Sequence, residues 1–451
     1  MNTIVAVATP PGRSAIGMIR ISGPQSLPIL RALVQDVQLT PEPNRTTLRE
    51  LFQPDSVDVI DSALVTYFQA PHSFTGEDMV EISCHGSPVI IRQLIDQIQR
   101  LDACLAGPGE FTLRAHKNGK LNLSQAEAIR DLINARTVAA AQQATRQLAG
   151  ELSNALQSCQ NELIQLIVKL ESALEFVEDD LPQTLVDENV DHVDRVVRKL
   201  REMASTFATG HLLRDGIQVA LVGRPNVGKS SIFNRLVRFD RAIVTELPGT
   251  TRDSLVESIS IRGIPLSITD TAGIREAGDR IEALGIERTQ RAISDADLVV
   301  VVIDGSSDLF PEDEALLAEV EAGPRVVAVN KSDLGSSPQV LSKLQDLPAV
   351  VHVSALTGEG LQDLTTAILK PFATLDSESV GLLVTDSRHH DLLLRALSSL
   401  EESKSLLSEN ASEELVLVGL HNALKLLGEI TGETTTEDIL GQIFSTFCIG
   451  K

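Results

Sequence analysis

The sequence predicts a multidomain fold: an α+β N-terminal domain, an all-α helical domain, and an α/β domain inserted into the helical one. Short apolar runs broken by Pro and Gly fill residues 1–118, and a stretch without Gly or Pro begins at Ser124. Residues 215–376 then alternate between apolar runs and helical stretches. We therefore expect segments at 1–118, 119–214, 215–376 and 377–451, the second and fourth forming the helical domain. A length of 451 residues agrees with about three domains.

Local patterns predict the elements of the first two domains. Strands are predicted at Ile4–Ala8, Ile16–Ile21 and Met79–Ser83, and an amphipathic helix at Pro88–Leu101. After Gly150, apolar residues recur at steps of three and four, which marks one face of a long helix. These residues are Leu152, Leu156, Cys159, Leu163, Ile167, Leu170 and Leu174. Further helices are predicted at Val186–Phe207, His389–Leu407 and Glu413–Ile430.

The inserted domain contains five apolar runs separated by helical stretches, the pattern of a parallel sheet with crossover helices. The runs are Ile217–Val222, Pro265–Thr269, Leu298–Ile303, Arg325–Val329 and Val350–Val353.

Composition narrows the range of functions. The chain has 62 Asp and Glu against 39 Lys and Arg, a net charge of −23. Because affinity for phosphate backbones comes from clustered cations, the isolated chain is a poor candidate for tight nucleic-acid binding. Four cysteines without a CxxC pair (Cys84, Cys104, Cys159 and Cys448) argue against a zinc site or a disulfide framework and fit a reducing cytoplasm. We expect neither a signal peptide nor a membrane span, because the start lacks a basic region and no apolar run approaches ~18 residues.

Residues 223–230 read GRPNVGKS, which fits the phosphate-binding pattern GxxxxGK[ST] between an apolar strand and a predicted helix at Ser231–Val237. Its glycines let backbone N–H groups curl around phosphates at a helix N-terminus. We expect Lys229 to reach the β- and γ-phosphates and Ser230 to bind Mg²⁺. A chance Gly-rich turn is the alternative, and the flanking strand and helix disfavour it. The predicted contacts are Asn226, Val227, Gly228, Lys229, Ser230 and Ser231.

Three later motifs indicate that the nucleotide is GTP. DTAG at 270–273 follows a strand, where the carboxylate reaches Mg²⁺ through water and the Gly N–H meets the γ-phosphate. In NKSD at 330–333 the Asp accepts from N1–H and N2–H₂ of guanine, and the backbone at 354–355 reads O6. GTTRD at 249–253 is predicted to be a switch that orders when the γ-phosphate is present. The predicted contacts are Thr245, Gly249, Thr250, Thr251 (also on Mg²⁺), Asp270, Thr271, Ala272, Gly273, Asn330, Lys331, Asp333, Ser354 and Ala355. The inserted domain is thus predicted to be an α/β P-loop GTPase domain.

Two positions in this domain concern hydrolysis. Ile274 stands where many small GTPases carry a Gln that orients the attacking water, so another group must do so. An Asn in the P-loop helps to hold K⁺ in a subset of GTPases, where the ion's charge replaces an arginine finger; an ordinary loop residue is the alternative for Asn226. The predicted K⁺ ligands are Asn226, Thr245, Leu247 and Thr250.

Motifs outside the inserted domain carry a family resemblance. They are ATPPGR at 8–13, SFTGED at 73–78, PGEF at 108–111, LSQAEA at 123–128 and the tail GQIFSTFCIGK at 441–451. They resemble the bacterial and organellar tRNA modification GTPases that act on the wobble uridine (the MnmE/TrmE type). The resemblance covers essentially the whole chain.

The resemblance implies an N-terminal domain that binds folate and forms a homodimer. Arg20, Glu81, Lys120 and Lys451 match folate-contacting positions, since a basic residue suits the folate carboxylates and a carboxylate suits the amino-pterin ring. Glu282 matches a carboxylate that orients the attacking water, although its spacing alone favours a solvated helix residue. Cys448 matches a Cys with a proposed chemical role; a small residue packing near the folate pocket is the alternative.

The resemblance further implies a cytoplasmic, K⁺-activated GTPase that works with an FAD-dependent partner in a heterotetramer. The complex would add an aminomethyl or carboxymethylaminomethyl group to C5 of the wobble uridine (position 34) of certain tRNAs. The carbon would come from 5,10-methylene- or 5-formyl-tetrahydrofolate, and the partner would make most of the tRNA contact. Two rivals stay open. A ribosome-assembly or RNA-binding switch GTPase predicts a basic accessory domain, and a folate-dependent transferase with a vestigial GTPase domain predicts a damaged P-loop.

Overall fold

The computed structural model describes residues 2–53, 56–176, 183–239, 255–270, 290–321, 323–372, 381–409, 411–433 and 437–450. The chain divides into two compact units. The first comprises Met1–Arg130, Gln147–Asp180 and Ala411–Lys451, and the second comprises Asp131–Arg146 and Leu181–Asn410. The helical segments that flank the inserted domain are therefore shared between the two units.

The strands are β1 Thr3–Val7, β2 Ile16–Ser22, β3 Thr46–Phe52, β4 Val59–Phe68, β5 Met79–His85, β6 Ala103–Leu105, β7 Ile217–Val222, β8 Leu255–Ile261, β9 Ile264–Asp270, β10 Leu298–Asp304, β11 Arg325–Asn330 and β12 Val350–His352. The main α-helices are α1 Ser26–Leu33, α2 Pro88–Arg100, α3 Glu110–Lys117, α4 Leu123–Asn134, α5 Val138–Leu148, α6 Glu151–Phe176, α7 Gln183–Ser205, α8 Phe207–Asp215, α9 Lys229–Phe239, α10 Pro311–Glu319, α11 Pro338–Leu344, α12 Leu361–Leu369, α13 Ser387–Ser408, α14 Glu413–Thr431 and α15 Glu437–Ser445. None of the described helices has both the length and the apolar character needed to cross a membrane.

The first unit is built on a six-stranded sheet with the order β3-β4-β5-β2-β1-β6. Its neighbouring strands pair antiparallel, except β1 and β6, which pair in parallel. Val80, Ile82 and Cys84 of β5 are buried because alternate side chains of a strand point to the same face. They share one apolar core with residues of α1 and α2. The strands predicted at β1, β2 and β5 and the helix at α2 are confirmed; the hairpin of β3 and β4 was not predicted.

Helices of the first unit bury apolar residues of their own, apart from the core of the sheet. The apolar stripe predicted for α6 is confirmed, since its members from Leu152 to Leu170 are buried. At the end of the chain, Phe444 and Phe447 pack with Leu123 and Ala126 of α4. Gly109 accommodates this tail, because a Cβ on it would lie 2.8 Å from the Phe444 carbonyl oxygen.

The second unit contains a six-stranded sheet with the order β12-β11-β10-β7-β9-β8. The five predicted strands are present and pair in parallel, as expected, and an unpredicted sixth strand, β8, pairs antiparallel with β9. A two-residue turn joins β8 to β9, and its residues Arg262 and Gly263 have φ of 52° and 82°. Two positive φ values are typical of the type I′ turn of a hairpin, so β8 returns along its neighbour instead of crossing over.

The stretch without Gly or Pro that begins at Ser124 forms two helices. α4 ends at Asn134 and α5 begins at Val138. Between them, Arg136 donates from one Nη1 to the hydroxyls of Ser258 and Ser267, both at 3.0 Å. This segment is therefore anchored to the β8–β9 hairpin within the second unit.

Candidate functional site

The phosphate loop joins β7 to α9, and two glycines determine its path. Gly223 has a φ of 148°, and a Cβ on it would lie 2.3 Å from the Val302 carbonyl oxygen. Gly228 has a φ of 101°, and its Cβ would lie 2.1 Å from Asn330 Nδ2. Both positions therefore exclude any residue with a side chain. The loop backbone ends at the N-terminus of α9, where backbone N–H groups and the helix dipole attract an anion.

Lys229 lies over the loop that it is predicted to serve. Its ammonium donates to the carbonyl oxygens of Gly223 at 2.6 Å and Arg224 at 2.8 Å, and the residue is 6% exposed. A bound phosphate would offer stronger, charged acceptors at the same place. Ser230 follows on the first turn of α9 and is exposed, as is Asn226, whose φ of 65° is left-handed. The two predicted metal ligands of this loop are thus accessible from solvent.

Asn330 connects the phosphate loop to the predicted base-binding loop. This buried side chain donates from Nδ2 to the Val227 carbonyl oxygen at 2.8 Å and accepts at Oδ1 from the Ala355 N–H at 3.0 Å. Next to it, the Ser354 hydroxyl donates to Asp333 Oδ1 at 2.6 Å. The carboxylate of Asp333 is exposed and held by one oxygen, so its other oxygen remains available to accept from guanine N–H groups.

Lys331 has an ion-pair partner on the neighbouring strand. Its φ of 65° is left-handed, and its ammonium lies 2.5 Å from Asp304 Oδ2. Partial burial would raise the pKa of Asp304, but hydrogen bonds from Lys331 and Ser306 lower it below its usual value. The ends of β10 and β11 are paired in register at Asp304 and Asn330, which places these groups at one edge of the sheet.

Several predicted residues lie outside the described part of the chain. They are Thr245, Leu247, Gly249, Thr250, Thr251, Thr271, Ala272, Gly273, Ile274, Glu282 and Lys451. Asp270 ends β9, but its side chain also lies outside the described part. Among the described residues, no three His, Cys, Asp or Glu side chains are grouped so as to hold a metal ion.

Arg224 is a site residue that sequence reasoning did not single out. Its guanidinium lies 3.9 Å from the centre of the Phe310 ring and donates from Nε to Asp313 Oδ2 at 2.8 Å. Asp313 is 1% exposed and also accepts from the Phe310 N–H at 3.1 Å. The phosphate loop is thereby anchored to the start of α10. Nothing local in the sequence marks this pair, because 89 positions separate its members.

The first unit contains a second candidate site around Arg20. Arg20 and Glu81 face each other across β2 and β5, and Arg20 Nη2 lies 2.6 Å from Glu81 Oε1. The rings of Phe74 and Phe111 lie 5.6 and 5.8 Å from the guanidinium. The Gly450 carbonyl oxygen accepts from Arg20 Nη1 at 3.3 Å. The C-terminal tail and two predicted folate residues therefore meet at one place.

Lys120 and Cys448 contact other segments of the first unit. The Lys120 ammonium donates to the Pro71 carbonyl oxygen at 3.0 Å, and its side chain lies beside Gly76 of the SFTGED motif. Cys448 is an exposed free thiol whose carbonyl oxygen accepts from the Gly109 N–H at 3.3 Å. No hydrogen bond of the described residues joins either side chain to Arg20 or Glu81.

A P-loop at the N-terminus of a helix, with an Asn–Asp base motif at the end of β11, defines the class of P-loop GTPases. Two family models match the chain: the MnmE helical domain over residues 123–448 and the GTP-binding protein TrmE N-terminus over residues 3–120. The chain therefore belongs to the MnmE family of tRNA modification GTPases.

Full-length relatives agree with this assignment. The chain is 42% identical to the tRNA modification GTPase MnmE of Koribacter versatilis, over 100% of this chain and 99% of that protein. It is also 42% identical to the Aquifex aeolicus protein of the same name, over 99% of each chain. Among solved structures it is similar to Aquifex aeolicus Era bound to GDP·AlF4⁻. That match has 26% identity, a TM-score of 0.29, and coverage of 42% of this chain and 65% of the other.

Proposed function

We propose that this chain is a cytoplasmic, K⁺-activated GTPase that takes part in modifying the wobble uridine of tRNA. With an FAD-dependent partner it adds an aminomethyl or carboxymethylaminomethyl group to C5 of that base. When a one-carbon derivative of tetrahydrofolate is bound in the first unit, it supplies the one-carbon group. GTP and Mg²⁺ bind at the phosphate loop. The protein acts as a homodimer. Light scattering of the full chain tests this, and the mass of a monomer would contradict it.

The observation that carries this proposal is the meeting of the C-terminal tail with the Arg20–Glu81 pair. Gly450 and Arg20 are 430 positions apart, yet they are hydrogen-bonded. This contact joins the family-like tail to a residue near the start of the chain, which supports the proposal of a shared site. A cation, a carboxylate and two aromatic rings suit a ligand that has a heteroaromatic ring and carboxylates.

Folate binding by the full chain tests this site. We expect titration calorimetry to detect binding of 5-formyl-tetrahydrofolate. Arg20→Gln and Glu81→Gln should each weaken it by about 10-fold or more, since each removes one charge-assisted hydrogen bond. Arg45→Gln is the matched control, because Arg45 pairs with Glu42 in an exposed ion pair of the same unit. Equal affinity of all four proteins would contradict the assignment.

Potassium activation rests on Asn226. GTP hydrolysis should be faster in KCl than in NaCl, and Asn226→Gly should remove most of the difference. Glycine is the appropriate replacement because it adopts the φ of 65° without strain while removing the side-chain carboxamide. A difference between the two salts that survives in Asn226→Gly would mean that Asn226 is an ordinary loop residue.

Water orientation is assigned to Glu282. Glu282→Ala should slow hydrolysis by about 100-fold while leaving GTP affinity nearly unchanged, because the carboxylate acts on water and not on the nucleotide. A parallel loss of GTP affinity would show that the residue is structural.

Asp333→Asn, in contrast, should move binding preference from guanine toward xanthine nucleotides, because the acceptor for N1–H becomes an amide.

The modification itself is tested on tRNA. Mass spectrometry of the wobble uridine from a strain that lacks this protein should show loss of the C5 substituent. Complementation by Cys448→Ser would show that the thiol has no chemical role, whereas failure with folate binding intact would support one.

Because the net charge is −23, we assign most tRNA phosphate contact to the partner. Tight binding of tRNA by the isolated chain at physiological salt would contradict that assignment.

A further inference from the structure

We infer that Arg235 is a positioning residue for guanine recognition: it holds the backbone at 354–355, the part of the base-binding loop that is predicted to read O6 of the base. This inference rests on the guanine site proposed above. It adds a specificity-determining residue that lies outside the motifs that define that site.

Arg235 makes two hydrogen bonds to the base-binding loop. Arg235 lies on α9 and donates from Nε to the Ala355 carbonyl oxygen at 3.0 Å. Its Nη2 donates to the carbonyl oxygen of the next residue, Leu356. A guanidinium is planar and presents its donors in a rigid fork, so two bonds to consecutive carbonyls define the orientation of that backbone, which a single flexible donor would not do.

The rest of the loop shows why this contact matters. Ser354 is held by backbone bonds to Glu359 and Gly358, at 3.0 and 2.8 Å. Leu356 is 74% exposed, so packing contributes little to its position. Ala355 lies between these two and is held at its N–H by Asn330 and at its carbonyl by Arg235. Without Arg235, the backbone after Ala355 would lose the contact that aligns it.

Helix α9 holds residues that contact both the phosphate loop and the base-binding loop. α9 begins at Lys229, which is predicted to contact phosphate, and Arg235 lies six positions later, about 9 Å along the helix axis. Since a helix of this length is rigid, the base loop is held at a set distance from the phosphate loop. Arg235 therefore couples recognition of the base to the placement of the phosphates.

The test compares three ligands, first with three proteins and then with a fourth, Arg235→Lys. GDP, IDP and 6-thioguanosine diphosphate are titrated by calorimetry into the wild type, Arg235→Ala and the control Arg238→Ala, an exposed residue of the same helix. IDP lacks the N2 amine that Asp333 accepts from. 6-Thioguanosine diphosphate keeps that amine and N1–H, and replaces O6 with sulfur, a larger and weaker acceptor.

For the wild type and Arg238→Ala we expect both analogues to bind about 5- to 10-fold more weakly than GDP. In Arg235→Ala the IDP penalty should stay the same, while the 6-thio penalty should fall below about 2-fold. A general loss of structure would change both penalties together. Thermal melting accompanies each titration. Arg235→Lys keeps the positive charge but lacks the guanidinium fork, so we expect its 6-thio penalty to lie between those of the wild type and Arg235→Ala.

The outcomes separate the two claims. A full 6-thio penalty in both Arg235→Ala and Arg235→Lys would overturn the inference while leaving the guanine site intact. If the wild type instead bound IDP and the thio analogue as tightly as GDP, the proposed guanine site itself would be wrong.

Discussion

Replacing Gly228 with alanine tests how the phosphate loop and the base loop depend on each other. The new Cβ would lie 2.1 Å from Asn330 Nδ2, so the Asn330 side chain must move. It would then lose its bonds to the Val227 carbonyl oxygen and the Ala355 N–H, both buried. The φ of 101° at Gly228 adds strain for any residue with a Cβ.

The expected magnitude follows from these two causes. Strain at an unfavourable φ costs about 1–3 kcal/mol, and loss of the two Asn330 hydrogen bonds costs about 2–4 kcal/mol. If the loop of the variant relaxes in the free protein and must return to its native conformation to bind, nucleotide affinity falls by up to about 3–7 kcal/mol, or roughly 10²- to 10⁵-fold. Gly335→Ala is the matched control. Its φ of 85° carries similar strain, but nothing lies within 4 Å of the added Cβ.

A double-mutant cycle then identifies the cause. GDP binding is measured by calorimetry for Gly228→Ala, Asn330→Ala and both together. If displacement of Asn330 is the mechanism, the double variant binds no more weakly than Gly228→Ala, because the Asn330 contacts are lost only once. Additive losses, about 5–11 kcal/mol in total, would refute the reasoning. A loss in Gly335→Ala as large as in Gly228→Ala would refute it as well.

Two further predictions concern stability. Burial alone would raise the pKa of Asp386, but the charges of His389 and Arg214 lower it to about 2 from its usual value of 3.8. The lowered pKa stabilises the fold above about pH 4 by about 2 kcal/mol, and this is lost as the pH falls toward 2. Urea unfolding should therefore show Asp386→Asn less stable at pH 7, with the gap closing in acid; a constant gap would contradict the ion-pair account. Arg224→Ala should destabilise the second unit by about 3 kcal/mol, because it leaves the Asp313 carboxylate buried without its cation. Thermal melting checks this, and adding Asp313→Asn should restore part of the loss; no restoration would place the effect elsewhere.

Local pattern determined most of the elements of this protein. The buried stripe of α6 and the apolar strands of the second unit follow from side-chain periodicity, which depends on a single helix or strand. The P-loop was equally readable, because its glycines, Lys229 and the flanking strand and helix are contiguous in sequence. β8 escaped prediction, since Glu257, Ser258 and Ser260 dilute its apolar character and its turn residues gave the only local sign of a hairpin.

The tertiary structure alone decided which distant residues meet. Periodicity reports whether a side chain faces a core, but not which other element supplies the opposite side. Asn330 was expected to belong to a base motif, yet its bridge between Val227 and Ala355 depends on how three loops converge at one sheet edge. The pairs Arg20–Gly450 and Arg235–Ala355 are likewise products of packing, which joins positions 430 and 120 residues apart. The sequence by itself thus determined the chemical groups available to this protein, and the packing of its elements decided which of them act together.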